Sequence, residues 1–392
     1  MRSERMIDRG RTIRRFLAIY IVPGAVLQSV MIAGGYGTGR ELVEYFTRHG
    51  PTGGLLAMAV TVVCWALVLA VTYEFARTFA VYDYRGFFRK LLGRGWIVFE
   101  ALFLLMFLLV LSVVGSAAGE VLQQSFGLPY GAGLLLMLAL VGGLVFFGRD
   151  VVTRVLTAWS FVLYGIFFVY FGVALSRFGG EIAAALTVGG ASDGWALDGF
   201  RYAMYNLAVV PAVLFSARRI RTRRQAVVAG CAAALICIIP AVLFHISFLG
   251  AYPGVEEQEI PVYWMIGRLG APILLVVYVV GLFGTFIETG AGYIQGINER
   301  IDSYLLETEG TTLSKPVRAL IAVSGLLISA GLGSFGIIAL IAQGYGTISW
   351  GFFAVYVVPV MTYGVLQLVR HSRRQARSAT VGVGEPDMLR TD

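Results

Sequence analysis

A glycine-rich stretch near the start of the chain combines weak helix formers with charged side chains. It reads Gly34-Gly35-Tyr36-Gly37-Thr38-Gly39-Arg40-Glu41-Leu42-Val43-Glu44. Each glycine weakens a helix by about 1 kcal/mol relative to alanine, so backbone N–H and C=O groups are expected to be released here. Such groups, beside a cationic and an acidic side chain, can bind a small polar solute or an ion. Binding is therefore the chemistry that this stretch predicts.

The element that must position this stretch is a long hydrophobic segment, residues 14–46. Its length and apolar composition predict a helix that spans a lipid bilayer, with the glycines near mid-depth. Unwound backbone at that depth persists only inside protein or beside a water-filled cavity, and intramembrane charges are functional candidates by default. We therefore predict a discontinuous helix that lines a binding site. The alternative is that the glycines permit close helix packing while Arg40 and Glu44 pair at i,i+4.

The whole chain has the composition of an integral membrane protein. Of its 392 residues, 58% are hydrophobic and 14% are charged, and the mean hydropathy is +0.78. The three cysteines lack the spacing of a metal or disulfide site, and the net charge of +8 comes from short basic blocks, so no nucleic-acid partner is predicted. We predict an all-α fold with ten membrane spans, at residues 14–46, 53–80, 96–124, 131–148, 151–176, 199–219, 223–250, 271–305, 316–333 and 336–369.

The basic residues orient these spans. A cytoplasmic N-terminus places most of the 31 Lys and Arg residues on the inside, as the positive-inside rule requires. We predict a multi-pass protein of the bacterial cytoplasmic membrane, with a basic N-terminus (1–13), a single transmembrane domain (14–369) and a disordered tail (370–392), both termini being cytoplasmic. Basic residues followed by the apolar segment 16–20 resemble a signal peptide, but no cleavage-site pattern follows, which favours a retained first span.

The loops carry few further signals. The longest outer loops are predicted at 177–198 and 251–270, and a short helix at 261–269 is expected to lie over the outer mouth. The eighth span with its extension, 271–306, is too long for one perpendicular crossing. We expect it to tilt or to project into the cytoplasm.

The sixth span is predicted to be interrupted as the first one is. Tyr205 and Asn206 precede Pro211, which lacks a backbone donor and clashes with the preceding turn. An ordinary proline kink is the alternative. Five spans in each half predict an inverted repeat, about 14–176 and 199–369, and the two interrupted spans open the two halves. Paired interruptions at corresponding positions are typical of a transporter binding site.

A second polar group lies in the eighth span. Thr285, Glu288 and Thr289 are spaced i, i+3 and i+4, which places them on one helix face. Together with Glu41, their oxygens suit a hard cation such as Na⁺, and a buried carboxylate can instead carry a proton. The alternative is a polar face that is hydrogen-bonded internally. Apart from Na⁺ as a coupling ion, no cofactor or metal is predicted.

Two further features leave alternatives open. Arg40, at the start of the second half-helix, would favour an anionic group of a solute or would replace a coupling cation.

Gly-Tyr-Gly-Thr occurs at 35–38 and again at 344–347, where the second copy could line the same cavity. A potassium filter needs symmetric re-entrant loops, and neither copy is placed in one. No nucleophile constellation, Walker loop or nucleotide fingerprint is present, so an enzyme is not predicted.

The chain resembles the YkvI-type family of bacterial membrane proteins, which is similar to the amino acid–polyamine–cation superfamily with the LeuT-type fold. Gly35-Tyr36-Gly37-Thr38-Gly39-Arg40-Glu41, with Tyr45-Phe46 following, and the glycines of 290–296 carry the resemblance. Family members usually have Gly-x-x-x-Gly-Gln-Glu, so Arg40 departs from the pattern. The resemblance implies a five-plus-five inverted repeat in which spans 1 and 6 hold substrate and a cation site lies between spans 1 and 8.

These observations predict a secondary active transporter of a small polar solute, such as an amino acid, an amine or a carboxylate, coupled to Na⁺ or H⁺. Its partners would be the solute and membrane lipid, and it would be a monomer or a homodimer. A channel and a non-transporting sensor are the rival predictions. The predicted coupling residues are Glu41, Thr285, Glu288 and Thr289. The predicted substrate-binding residues are Gly35, Tyr36, Gly37, Thr38, Gly39, Arg40, Tyr205 and Asn206.

Overall fold

A computed structural model describes residues 12–32, 34–147, 149–333 and 335–381 of the chain. Within these ranges the regular secondary structure is helical throughout. This follows from the apolar composition, because a helix satisfies its own backbone hydrogen bonds and can therefore cross hydrocarbon. The predicted all-α class is confirmed for the described residues.

The helices follow one another with short connections. In chain order they are α1 (Thr12–Met31), α2 (Gly34–Thr38), α3 (Arg40–Tyr45), α4 (Gly50–Phe79), α5 (Tyr84–Leu92), α6 (Trp96–Phe126), α7 (Tyr130–Phe147), α8 (Arg149–Val188), α9 (Trp195–Asn206), α10 (Arg223–Phe248), α11 (Pro261–Arg268), α12 (Pro272–Thr308) and α13 (Lys315–Gly333). A 3₁₀ helix, Leu207–Arg219, follows α9. The last helix, α14, begins at Ile337, contains three π-helical segments and ends at Val381.

Within the described residues, eight helices are long and apolar enough to cross a membrane. The bent pair of α9 and its 3₁₀ continuation would make a ninth span. A shorter apolar helix, Tyr130–Phe146, occupies the place of the predicted fourth span. The chain is therefore a multi-pass membrane protein, while the count of ten spans stays a prediction.

The first span is broken, but not in the way the glycines predicted. The residues expected to be unwound, Gly35 to Gly39, instead include one turn of helix, α2. The helical conformation is lost at Ile32 (φ −77°, ψ 78°) and at Gly39 (φ 82°). Gly39 adopts a left-handed conformation that glycine accepts readily, whereas the other glycines tolerate a short helical turn. The span thus has two breaks with a short helical segment between them.

The sixth span also departs from a straight helix. The chain changes from α to 3₁₀ geometry after Asn206, and the two halves of the span, Trp195–Pro211 and Val213–Arg219, form an angle of 72°. Pro211 explains the change, because it cannot donate the hydrogen bond that an α-helix requires at that position. The predicted interruption therefore has its structural counterpart at the proline.

Spans 1, 2, 6 and 7 pack closely against one another. A Cβ atom on Gly24 of α1 would lie 2.8 Å from the Cα of Ala233 in α10, so the two backbones nearly touch. In α4, Thr61 Oγ1 donates to the carbonyl of Gly199 in α9 at 2.8 Å, and Trp65 Nε1 donates to the carbonyl of Ala203 at 3.1 Å. Small residues permit such approach between helices in a membrane.

Several boundaries differ from the predictions. The loop expected at 177–198 is helical to Val188, with a kink at Phe178 (φ −110°, ψ 16°), since the segment that follows is rich in alanine. The tail expected to be disordered from 370 continues as helix to Val381, and residues 382–392 lie outside the described ranges, as do 1–11. A short helix (α11) and a 37-residue helix (α12) are present where they were predicted. The placement of α11 over the outer mouth stays a prediction.

Candidate functional site

The turn between the two breaks of span 1 is closed by its own threonine. Thr38 Oγ1 donates to the carbonyl of Gly35 at 2.7 Å and accepts from the backbone N–H of Arg40 at 3.2 Å. At Gly39, a Cβ atom would lie 2.6 Å from the ring of Phe248 and 2.9 Å from Val262. Both the left-handed backbone and the lack of space therefore require glycine at this position.

Glu41 joins the two broken spans. Its side chain is buried, with 3% of the residue exposed, and its Oε2 accepts a hydrogen bond from the Tyr205 hydroxyl at 2.7 Å. The other carboxylate oxygen lies against span 1, since a Cβ atom on Gly35 would be 2.2 Å from it. Three predicted site residues, Glu41, Tyr205 and Gly35, are thus brought together. Glycine at position 35 leaves space for the carboxylate.

Several tyrosines lie in the neighbourhood of this carboxylate. Glu41 interacts electrostatically with the hydroxyls of six tyrosines from spans 1, 6, 8 and 10, which we call the tyrosine cage: Tyr36, Tyr45, Tyr202, Tyr205, Tyr293 and Tyr345. The ring of Tyr205 lies 4.8 Å from that of Tyr345, 5.4 Å from that of Tyr202 and 5.6 Å from that of Tyr45. Tyr345 belongs to the second Gly-Tyr-Gly-Thr copy, which therefore lies beside the same site.

Two hydroxyls of the cage lack a partner. Those of Tyr36 and Tyr202 are buried and form no hydrogen bond within the described part of the chain. In contrast, the Tyr45 hydroxyl donates to the carbonyl of Ile341 at 3.0 Å. Buried polar groups are normally hydrogen-bonded, so these unpaired buried hydroxyls indicate a place for a ligand or water.

Arg40 does not share this environment. Its guanidinium donates to Glu44 Oε2 at 2.8 Å and to the backbone carbonyls of Glu256 and Gln258 at 2.5 and 3.0 Å. The i,i+4 pairing that the sequence offered as an alternative is therefore present. The Nη donors of Arg40 are directed at Glu44 and at the segment that precedes α11, while its buried Nε has no partner within the described residues. That Arg40 binds substrate stays a prediction.

An ion-pair chain that the sequence analysis missed continues from this arginine. Arg48 pairs with both Glu44 and Asp198, and His49 Nε2 lies 3.0 Å from Asp198 Oδ2. We call Arg40, Glu44, Arg48, His49 and Asp198 the outer network, since it lies toward the side predicted to face outward. It fastens α3 to the start of α9. Local spacing could have revealed only the Arg40–Glu44 and Glu44–Arg48 pairs, because Asp198 is 150 residues away from Arg48.

The residues predicted to bind a coupling cation are only partly gathered. The Tyr278 hydroxyl donates to the carbonyl of Gly37 at 3.0 Å, and a Cβ atom on Gly37 would lie 4.0 Å from the Thr285 methyl group, so spans 1 and 8 are in contact. The Thr285 hydroxyl, however, donates to the carbonyl of Gly281 within its own helix at 2.9 Å. Glu288 is half-buried and interacts electrostatically with Tyr164.

The remaining predicted residues have modest contacts. Thr289 is half-buried on α12. Asn206 is buried, and its Nδ2 donates to the carbonyl of Tyr202 at 3.0 Å, which caps the end of α9. Within the described residues, no group of three or more His, Cys, Asp or Glu side chains is arranged to bind a metal ion.

The acidic segment between spans 7 and 8 lies over the outer network. Burial raises the pKa of Glu256, while the Tyr252 hydroxyl and Arg40 oppose that rise. Burial also raises the pKa of Glu259, and Glu120 at the end of α6 raises it further. This segment therefore brings carboxyl groups close to Arg40 and the rest of the outer network.

No protein-family model and no curated protein matches the chain. Solved structures match nearly its full length. The manganese transporter of Eremococcus coleocola is 13% identical, with a TM-score of 0.55, and the match covers 88% of this chain and 78% of that one. MhsT in complex with L-phenylalanine is 14% identical, with a TM-score of 0.55 and coverage of 89% and 97%.

This likeness shows the fold of the chain, which is the LeuT-type architecture that the resemblance implied. At these identities, the likeness gives no information on the solute.

Proposed function

We propose that the chain is a secondary active transporter that binds a small polar solute between spans 1 and 6 and moves it by alternating access. The observation that carries the proposal is the Glu41–Tyr205 hydrogen bond. It joins the two broken spans at one buried polar site. Discontinuous helices that meet at a buried site are the arrangement by which transporters of inverted-repeat folds bind solute.

The packing between helices is consistent with spans 1, 2, 6 and 7 moving together as one unit. Spans 1, 2, 6 and 7 are joined through close contacts of Gly24 with Ala233 and through the bonds of Thr61 and Trp65 to α9. We propose that this group rocks against the other spans. On the outer side, Arg40 and Arg48 connect span 1 to the acidic segment and to Asp198, which closes that approach to the site. Opening the site outward would require these ion pairs to separate.

Coupling to Na⁺ or H⁺ remains part of the proposal. Glu41 is the buried carboxylate at the break of span 1, and the contact of Gly37 with α12 places span 8 beside it. The YkvI-type resemblance of the sequence supports the same placement of a coupling site between spans 1 and 8. The cytoplasmic membrane location, with both termini inside, follows from the distribution of basic residues and belongs to the same proposal.

Counterflow in proteoliposomes tests the proposal. Vesicles preloaded with one of a panel of amino acids, amines and carboxylates are diluted into the labelled compound, with and without a Na⁺ gradient. A transporter gives saturable counterflow. Gly37→Val should reduce it at least tenfold, because even a Cβ atom there would lie 3.1 Å from Leu282 and valine adds two methyl groups.

The matched control is Gly172→Val, since a Cβ atom at Gly172 meets nothing within 4 Å. It should leave the flux unchanged. Flux that does not saturate would indicate a channel instead. Counterflow that is equal in the Gly37→Val variant and the wild type would contradict the proposed site.

A further inference from the structure

The short helix α5, which connects spans 2 and 3, has one apolar face and one basic face. Its apolar face is packed inside the protein, where Phe87 and Phe88 are fully buried and the Phe88 ring stacks on that of Phe99 in span 3 at 3.6 Å. On the other side of the helix, Arg89 and Lys90 are exposed. The direction of the basic face is therefore determined by how the apolar face packs.

The start of span 3 places this basic face at the surface of the bilayer. Ile97 and Val98 are 62% and 53% exposed on a membrane-spanning helix, so they face lipid. Trp96 precedes them, and tryptophan is enriched where hydrocarbon meets the headgroups. The guanidinium groups of Arg85 and Arg89 lie 5.6 and 5.0 Å from the centre of the Trp96 ring. Both arginines therefore lie at headgroup level.

The end of span 10 adds a further cation to the same face. Gln367 Nε2 in α14 donates to the carbonyl of Lys90 at 3.3 Å. Lys90 Nζ lies 4.7 Å from the centre of the Phe79 ring, and the His371 ring lies 5.6 Å from it. Arg370 is exposed and follows Gln367 by three positions, so it shares this face of α14. We call the cations that meet here the basic patch: Arg85, Arg89, Lys90 and Arg370.

The carboxylates around the basic patch have other partners. Glu74 and Glu100 pair with arginines outside it. Asp83 caps the start of α5 by accepting from a backbone N–H of the first turn at 2.6 Å. Arg89 and Lys90 form no ion pair within the described residues. The patch is therefore positively charged at the depth where lipid phosphates lie, and such a surface attracts anionic headgroups.

We propose that the basic patch binds the phosphate of an anionic phospholipid, whose acyl chains lie along Ile97 and Val98. Arginine and lysine donate charge-assisted hydrogen bonds to phosphate oxygens. The exposed apolar pair beside Trp96 supplies the contact that acyl chains need and that a soluble phosphate ester cannot use. Because α5 connects span 2, which belongs to the proposed moving unit, to span 3, the lipid lies at the junction between that unit and the other spans. This inference goes beyond the transport function and does not depend on it.

Lipids that differ in headgroup charge test the inference. Dioleoylphosphatidylglycerol is anionic, dioleoylphosphatidylcholine is zwitterionic on the same acyl chains, and glycerophosphoglycerol is the anionic headgroup without chains. Binding of each compound to the delipidated full chain in detergent is measured by native mass spectrometry over a range of concentrations. We expect phosphatidylglycerol to bind about tenfold more tightly than phosphatidylcholine, or better, since only its headgroup carries a net negative charge. The water-soluble headgroup should not bind.

Variants then locate the site. Lys90→Gln should weaken binding of phosphatidylglycerol about fivefold, and addition of Arg89→Gln should bring the total to about 30-fold. Arg89→Lys keeps the charge and should retain the affinity. Lys315→Gln is the matched control: it removes an exposed lysine at the start of α13, outside the patch but on the same predicted side, and should also retain the affinity. An unchanged melting temperature without lipid checks that the variants fold.

The opposing outcomes are distinct. Equal affinities for the two lipids would overturn the inference. So would a loss in Lys315→Gln as large as that in Lys90→Gln, because the attraction would then belong to the whole basic surface. Glycerophosphoglycerol that binds as tightly as the lipid would assign the patch to a soluble phosphate ester instead. If the double variant does not fold, the wild-type lipid series and Lys90→Gln decide. The counterflow test of the transport proposal is separate from all of these results.

Discussion

Glu41 and Glu44 lie one helical turn apart in span 1 and are almost equally buried, with 3% and 5% of each residue exposed. Their partners differ completely. Glu44 lies between two arginines, Arg40 and Arg48, whereas Glu41 receives a tyrosine hydroxyl. The same residue type at nearly the same depth is therefore charge-compensated in one case and uncompensated in the other.

The comparison separates a structural carboxylate from a binding one. A buried carboxylate with two cationic partners is satisfied by the protein itself, and removing it strands a buried charge. A buried carboxylate without a cationic side chain is neutralised by a proton or by a cation that binds from outside. Burial alone would have ranked the two residues together, so the identity of their partners is the informative observation.

The largest expected effect is a difference in stability between the substitutions of Glu44 and Glu41. Glu44→Gln should lower the free energy of unfolding by about 3 kcal/mol, because Arg40 is left buried without a counter-charge. Glu41→Gln should leave the stability unchanged or raise it slightly, since it removes an unpaired buried charge while glutamine still accepts from Tyr205. Unfolding in mixed micelles with increasing SDS measures both.

The counterflow measurements should show the reverse order. Glu44→Gln is expected to retain the flux of the wild type, which Glu41→Gln loses. Equal losses of stability in the two variants would mean that the described partners do not determine the roles of these carboxylates.

A smaller effect is expected at two glycines of this region, one within the short helical turn and one directly after it. Gly39→Ala should destabilise the protein by about 2 kcal/mol, because alanine resists a φ of 82° and its Cβ would lie 2.6 Å from Phe248. Gly35→Ala should cost less than about 1 kcal/mol, since this residue is helical, but its Cβ would displace the Glu41 carboxylate.

The effects of Gly35→Ala on stability and on solute binding should therefore differ. Gly35→Ala is expected to weaken solute binding about tenfold, as expected when a charged hydrogen bond is disturbed. Gly172→Ala, in open space on α8, serves as the control and should be neutral or slightly stabilising. Retention of wild-type affinity in Gly35→Ala would show that the position of Glu41 against Gly35 is not needed for binding.

Much of the fold could be predicted from the sequence because the relevant signals are local. Apolar length predicts membrane helices, four glycines in six positions predict a break, and Pro211 predicts a bend. The exact form of the break was not predictable. Whether Gly35 to Thr38 unwinds or forms one turn depends on Thr38 bonding back to Gly35 and on contacts with α12, which local spacing does not reveal.

The site was predicted only in part. Glu41 was identified by its depth and charge, but its hydrogen-bond donor, Tyr205, is 164 residues away. Arg40 was ambiguous because its partners include backbone carbonyls of residues 256 and 258, which carry no sequence signal. Asp198 looked like a loop residue before span 6. In each case the missing information is which distant segments meet, and that is determined by packing between helices.

The smallest expected effect concerns pH on the outer side, where the acidic segment meets Arg40. Burial and Glu120 raise the pKa of Glu259, with Arg40 opposing. The folded protein therefore binds more protons than the unfolded chain between the ordinary glutamate pKa of about 4.3 and the raised value, so stability falls as pH rises through this window. The melting temperature should accordingly increase slightly as the pH is lowered from neutral toward about 5.

Substitutions in the segment separate this effect from a general response to acid. Glu259→Gln should flatten the pH dependence in part, with the remainder due to Glu256, whose pKa burial also raises. Glu181→Gln, which removes an exposed carboxylate of α8 outside this segment, should retain the full dependence. An unchanged pH profile in Glu259→Gln would mean that this carboxyl group is not protonated preferentially in the folded state. The outer network would then depend on the arginine pairs of Glu44 and Asp198, without a contribution from the acidic segment above them.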